Sequence, residues 1–558
     1  MKIRFKDNKI AFTLVFTIWM LTILACTRSV KYTEPMSTAY IITNIPAIAE
    51  NSEESTGGLI GGGATAFDAP TFVPPDSEAT LETIEDLTES ETNPTIALEQ
   101  TPTETTKIAE TQEQTPNPEV QQSEKPPISY FTQSGDTIAL LASRFEVEAD
   151  EIISPSEIRR DGMLMPNQLL LIPDRLDPET TTNNIKIIPD SLVVLSPAVV
   201  DFDIEDYIKE TDGYLNEYQE WGKNGWRNGA EVFEVLSSEN SINPKLLLAI
   251  LDLQSNWVTS NPSSFLTMDY PMGYPEFEEK GLYKQVNWAI KELTIGYYHW
   301  RSGEISALRF KDGKQIRLNP ELNAGTVGVM YLYSQIMTYD QWMEVMYGGN
   351  SIANKYENMF ANPFEEAQYA EPIFPANLAQ PTLELPFQVG HMWSFTGGPH
   401  TAWDEGGALA ALDFAPAAAE SGCVSTIEWV TAVADGLVIE SENGIVKLDL
   451  DGDGHEETGW VILYLHVGTD GRIANGMWLK EGDKIGHPSC EGGRATGTHV
   501  HIARKYNGEW ILADQQMPFV LSGWQAYAGD APYEGSLIKG DKIVTASTNG
   551  SYNTQITR

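Results

Sequence analysis

The sequence predicts a multidomain chain: a small βααβ module, then an all-α domain, then a C-terminal all-β domain. Three observations carry this. A strand–turn–helix pattern opens at Ile128, and a matching strand closes near Pro173. Apolar residues fall at helical spacing from about Asp201 to Ala370. From about Leu385 to Trp524 the chain breaks into short strands separated by Gly-rich turns. A length of 558 residues exceeds one domain. The formal charge of −43 excludes a nucleic-acid partner, because phosphate binding needs a basic face.

The N-terminus speaks for export. Lys2, Arg4, Lys6 and Lys9 precede an apolar run from Ile10 to Ala25, a charged n-region followed by an h-region. The run is short for a spanning helix, which needs about 20 apolar residues. It ends Ile23-Leu24-Ala25-Cys26, which resembles a bacterial lipobox and implies lipidation at Cys26. An uncleaved anchor is the alternative, and both readings place the remainder outside the cytoplasm at the cell envelope. Residues 27–127 are rich in Thr, Glu, Pro and Ser without apolar periodicity, so a disordered linker is expected.

Residues 128–176 form the first module. Tyr130 to Thr137 read as a strand, a turn and a helix N-cap, and Ile138, Leu141, Ala142 and Phe145 continue at helical spacing. A second short helix is expected near Asp150–Ile153, then the strand Gln168–Pro173. With its Ser134-Gly135-Asp136-Thr137 turn, this resembles a LysM domain. The resemblance implies binding of peptidoglycan glycan, with Gly135, Asp136 and Thr137 as substrate-binding residues.

Residues 195–375 read as all-α. Asn243-Pro244 opens a helix that is apolar nearly all round, hence buried. It loosely resembles the catalytic helix of lysozyme-like lytic transglycosylases, whose Glu-Ser pair supplies the acid. Here the pair is Gln254-Ser255, and an amide cannot donate and recover a proton as a carboxylic acid does. A domain without glycosidase activity is expected. Glu239, Asp252 and Glu292 are the substitutes a muramidase reading would need.

Residues 380–535 carry the chemistry. Seven of the chain's eight His lie in its last third, among them Gly497-Thr498-His499-Val500-His501. His-x-His on a strand places both imidazoles on one face, which suits a zinc site. Gly397-Gly398-Pro399-His400, Asp413 within Ala410–Pro416, and Tyr464-Leu465-His466 complete the pattern. Together these resemble the LytM/lysostaphin-type murein endopeptidases. The resemblance implies that His400, Asp413 and His501 bind Zn²⁺, and that His466 and His499 act catalytically beside the open position. The family's first His stands four residues before the Asp, where this chain has Leu409. His400 serves only if 401–408 are an inserted loop, with His391 as the fallback.

Asp449, Asp451 and Asp453 match the first half of an EF-hand-like loop and could hold Ca²⁺, although position 12 is Trp460. With Cys26 lipidated, Cys423 and Cys490 are the two cysteines left for a disulfide, and separate buried thiols are the alternative. Residues 536–558 read as a polar tail. The whole reads as a lipid-anchored zinc endopeptidase that cleaves peptidoglycan peptides and is tethered to glycan. The alternative is a non-catalytic LysM/LytM lipoprotein that regulates other cell-wall hydrolases.

Overall fold

The computed structural model describes residues 125–222, 225–418 and 420–558. The expected export signal, Cys26 and nearly all of the 27–127 linker lie outside the described residues. Among the described residues, no helix is long and apolar enough to cross a membrane.

The first module is built as its pattern requires. Strand β1 (Ile128–Phe131) pairs antiparallel with β2 (Leu169–Ile172). Between them, helix α1 (Ile138–Phe145) starts at Thr137, whose side chain caps the amide of Leu140. The second expected helix is a single 3₁₀ turn, Ala149–Glu151. Leu141, Phe145, Ile152, Leu170 and Ile172 form its own small core.

The loop expected to bind glycan is covered, which corrects that expectation. Asp136 is buried and accepts hydrogen bonds from Tyr130 Oη (2.6 Å), the Gln133 amide (2.7 Å) and Arg144 (3.3 Å). A Cβ on Gly135 would meet the Arg301 guanidinium at 3.1 Å, and Arg301 also donates to the Ser134 carbonyl. Thr137 is spent on its cap. The residues that give the turn its shape are the same ones that dock it on the next domain.

The helical region begins at about Ile187, whose side chain already belongs to its core. It is not purely helical. A hairpin of β3 (Gln219–Gly222) and β4 (Gly225–Asn228) stands before helix α2 (Gly229–Asn240), and a second hairpin joins 307–309 to 315–317. Helix α3 (Pro244–Ser255) is capped by Asn243 and carries Pro at its first turn, as expected. Its Leu246–Leu251 run is fully buried. Helices α4 (Leu282–Ser302) and α5 (Ala324–Ile336) pack against each other, and Gly296 lies against Gly328 in their contact.

The C-terminal region is a nine-stranded antiparallel sheet with a smaller sheet behind it. Its strands include β5 (Met392–His400), β6 (Ala411–Pro416), β7 (Gly436–Glu442), β8 (Ile445–Asp449), β9 (Trp460–Leu465) and β10 (Trp478–Leu479). They continue with β11 (Val500–Tyr506) and β12 (Glu509–Trp510). The smaller sheet is β13 (Val520–Leu521), β14 (Trp524–Ala528), β15 (Gly535–Lys539) and β16 (Lys542–Thr545), and the chain ends on β17 (Gln555–Thr557). The main order is β10-β7-β8-β9-β11-β6-β5-β17, with β12 folded onto β11. The expected tail, 536–558, is therefore structural: β17 pairs with the first half of β5. Its short strands alternate too briefly to stand out from a polar background.

The two faces of the sheet go to different cores. Val446, Ile462, Tyr464, Val500 and Ile502 face the core shared with the smaller sheet. Ile445, Leu463, Leu465, Ala503 and Trp510 face the helical domain and join its core. Charged groups lie in the same junction. Glu456 takes hydrogen bonds from Lys447 (2.7 Å), Lys505 (2.6 Å) and Ser238 of α2 (2.7 Å). Arg301 of α4 pairs with Asp190 (3.0 Å) and Glu509 of β12 (2.9 Å). The described residues thus belong to one compact unit.

Candidate functional site

Four adjacent strands and their ends assemble the site. β11 pairs with β6 in a register that sets His501 opposite Asp413, and with β9 so that His501 lies opposite Leu465, next to His466. β5 pairs with β6 through two bulges, which bring His400 opposite Ala411. The bulges re-aim the strand end. Residues 401–410 connect His400 to β6, so the expected insertion is present and Leu409 has no part in the site. Gly397 lies opposite Asp413, and a Cβ there would sit 2.6 Å from its carboxylate. His466 holds a left-handed backbone (φ 65°) at the end of β9, strain of the kind concentrated at working residues.

His400, Asp413 and His501 converge. His400 Nε2 lies 3.0 Å from His501 Nδ1 and 3.2 Å from Asp413 Oδ1, and His501 Nδ1 lies 3.3 Å from the same oxygen. A tetrahedral zinc with bonds near 2.0–2.1 Å sets ligand atoms about 3.3–3.4 Å apart. All three side chains are buried. The remaining ring nitrogens fix the tautomers. His400 Nδ1 bonds the Gly398 carbonyl (2.8 Å) and His501 Nε2 bonds the Ala402 carbonyl (3.0 Å). A carbonyl only accepts, so those nitrogens carry the protons and the converging ones are bare in the neutral rings. Two lone pairs and a carboxylate then point at one spot, and Asp413 Oδ1 has no hydrogen-bond partner. The arrangement calls for positive charge. Burial would lower His400, yet Asp413 beside it raises its pKa above the ordinary value. Burial would raise Asp413, yet the histidines hold it well below the carboxylate range. Burial lowers His501.

His466 and His499 stand next to this cradle, their rings 4.5 Å apart. His466 Nδ1 bonds the Glu491 carbonyl (2.9 Å) and His499 Nδ1 the Gly497 carbonyl (2.8 Å), so Nε2 is the bare nitrogen in each. His499 Nε2 lies 3.8 Å from Asp413 Oδ2. Burial, helped by the neighbouring His499, pushes His466 down to about 4.

The other expectations divide. His391 is exposed, bonds Glu428 at 2.6 Å and stands outside the group of converging ligand atoms. Cys423 and Cys490 form a disulfide, joining the loop after β6 to the loop that leads to His499. Asp449, Asp451 and Asp453 come together in the turn between β8 and β9. Asp449 spends both oxygens on amides of that turn, those of Asp451, Gly452 and Gly454. Asp252 is fully buried and bound by Val258, Thr259 and Lys355, a structural carboxylate.

Sequence reasoning missed two features. Tyr533 stacks on His400 (centroids 4.1 Å apart, 22° between planes), and no pattern around it announces this. The site also opens into a cleft of about 2050 Å³ whose second wall is the helical domain, with Trp221, Glu239 and Tyr283 among its lining. Only the packing of the two domains creates that wall.

Two imidazoles and a carboxylate around one point, with two further imidazoles beside it, have the make-up of a mononuclear metallohydrolase site. Residues 186–373 match the family described as LasA, N-terminal domain. The chain is 24% identical to protease LasA of Pseudomonas aeruginosa over 308 residues, which span 51% of this chain and 68% of that protein. Among solved structures it resembles pseudoalterin, an M23 metalloprotease from the deep sea. That match has 22% identity, 30% of this chain, 96% of that one and a TM-score of 0.25. It also resembles the catalytic domain of lysostaphin from Staphylococcus simulans, with 21% identity, 22% of this chain, 89% of that one and a TM-score of 0.16. The chain is thus similar to protease LasA.

Proposed function

We propose that this protein is a zinc metalloendopeptidase that hydrolyses peptide bonds in peptidoglycan stem peptides or cross-bridges. The observation that carries the reading is the convergence of three unprotonated ligand atoms at 3.0–3.3 Å, with two bare imidazole nitrogens beside them. The similarity to protease LasA supports peptide hydrolysis. The motif resemblance to murein endopeptidases supports peptidoglycan as the substrate. Export and a lipid anchor at Cys26 belong to the same proposal and rest on the N-terminal pattern. Glycan binding by the 128–176 module would need a surface other than the Gly135–Thr137 loop. No second metal is required, since Asp449 is already satisfied by its own turn.

His400, Asp413 and His501 would hold the zinc. A bound zinc supplies Lewis acidity to the scissile carbonyl and to water. The bare Nε2 atoms of His466 and His499 each accept a hydrogen bond from the attacking water and so aim its lone pair at the carbonyl carbon. His466 takes the proton and returns it to the leaving amine. The non-catalytic alternative rested on Leu409 in the ligand slot, and His400 fills the role from the end of β5 instead.

The test is metal analysis and digestion together. The full chain is expected to carry about one zinc, and its digestion of purified peptidoglycan should stop on chelation and resume with zinc. A folded chain that neither binds zinc nor releases peptide ends overturns the reading.

The depressed His466 pKa adds a pH prediction. The acid limb of kcat should lie below the ordinary histidine value. The same shift bears on stability. Between about 6.5 and 4 the unfolded state binds a proton that the folded state refuses, so stability falls as pH drops through that window. A kcat limb near 6.5, unmoved in variants of other groups, would remove His466 as the base.

A further inference from the structure

The cleft is larger than the proposed chemistry needs. Small-ligand pockets enclose about 300–1,000 Å³, and this one encloses about 2050 Å³. One wall is the sheet with its histidines. The other is the helical domain: the β3–β4 hairpin, the outer face of α2 and the start of α4. A substrate reaching His466 and His499 lies against both.

Carboxylates outnumber cations in that space, where Lys284 donates to the Glu278 carbonyl. Two of its cations are already neutralised, Arg472 by Glu491 (3.6 Å) and Arg494 by Glu405 (3.4 Å). Lys280 is held by Asp269 at 2.8 Å. Glu234 and Glu239 of α2 and Glu442 of β7 line the cleft with no hydrogen bond or ion pair among the described residues. Glu239 is the informative one, because it is half-buried where α2 approaches the sheet. Burial and the nearby Glu440 and Asp404 push its carboxyl up to about 7, against the opposing pull of Lys447 and Arg227. Lys447 is already committed to Glu440 (2.9 Å) and Glu456 (2.7 Å), and Arg227 lies over the Tyr283 ring at 5.6 Å. An unpaired carboxyl held in this way gains most from an arriving cation. Trp221, 70% exposed and T-stacked on Trp226, stands on the same wall and offers an aromatic face, the usual companion of a carboxylate in ammonium recognition.

We propose that the helical domain reads the substrate, with Glu239 as the subsite for an ammonium group carried on the peptide strand. This rests on the peptidase reading of the neighbouring site. It makes the helical domain a working wall of the catalytic cleft rather than a scaffold, and it assigns a preference for amine-bearing peptide over neutral peptide.

The test uses the full chain loaded with zinc and two end-blocked, glycine-rich peptides that differ only in one lysine or norleucine. Binding is measured by calorimetry and cleavage by chromatography. Wild type should bind the lysine peptide about tenfold more tightly, the size of one charge-assisted contact. Glu239→Gln should erase that preference while leaving norleucine binding and zinc content unchanged, and Glu239→Asp should restore part of it. A wild type indifferent to lysine, or a Glu239→Gln variant that keeps the preference, overturns the proposal. The two readings fail separately. Selective binding without cleavage sinks the peptidase reading and keeps the subsite, whereas cleavage without selectivity does the reverse.

Discussion

His400→Ala is expected to abolish both zinc binding and peptide hydrolysis while leaving the fold intact. The side chain supplies one of three ligand atoms, and its loss leaves Asp413 and His501 alone at 3.3 Å. Two protein ligands do not hold zinc against dilution, so the metal content should drop from about one per chain to near zero. Losing the Lewis acid removes several kcal/mol of transition-state stabilisation, a rate loss on the order of a thousandfold or more. The strand does not depend on the imidazole: β5 keeps its pairing with β6 and β17 through backbone bonds. His391→Ala is the matched control, since that side chain bonds Glu428 away from the cradle, and it should retain full zinc and full rate. Elemental analysis with peptidoglycan digestion reads both variants. A zinc-loaded, active His400→Ala enzyme would mean that the cradle is not the metal site.

The second large effect lies in the junction. Glu456→Ala is expected to destabilise the unit by about 3–5 kcal/mol, the cost of stranding a buried charge. Its carboxylate serves Lys447, Lys505 and Ser238 at once. Lys447 would keep Glu440, but Lys505, with its side chain only 1% exposed, would lose its ion pair and keep the Ser241 hydroxyl at 3.0 Å and the Trp510 ring at 5.4 Å. Burial pushes the Glu456 carboxyl up, yet the two lysines hold it well below the carboxylate range. Its contribution is therefore full above the unfolded carboxylate pKa and fades as pH falls below it. Urea unfolding of wild type, Glu456→Ala and the double variant Glu456→Ala/Lys505→Met checks the cause. The double variant should recover most of the loss, because the stranded ammonium is gone. Equal loss in single and double variants would show that packing, not charge, is responsible.

Much of the candidate site could be read from the sequence because its residues sit on short strands with fixed periodicity. His499 and His501 share a face by alternation alone, and the register of β11 with β6 brings Asp413 beside them. His400 was harder, since a ten-residue connection separates it from β6 and the familiar spacing pointed at Leu409. The 128–176 module shows the opposite case. Its turn residues predicted the strand and helix correctly, but a turn motif says nothing about which neighbour will cover it, and here the helical domain does. Tyr533, the cleft wall and β17 were illegible for a related reason. Each acquires its role from a contact between segments far apart in the chain, and local pattern records no such contact.

The shared core between helices and sheet bears on how this molecule can be divided. Leu463, Leu465, Ala503 and Trp510 are interior only while the helices lie over them, and the Lys447–Glu456–Lys505 cluster keeps its serine partners only while Ser238 of α2 and Ser241 just after it stay in place. A fragment cut at the linear boundary near residue 380 would expose a greasy face and its ion pairs to water. A nick in the same connecting segment would leave two polypeptides clasped as one body. The boundary visible along the chain is thus a join in the covalent backbone but not a seam in the solid.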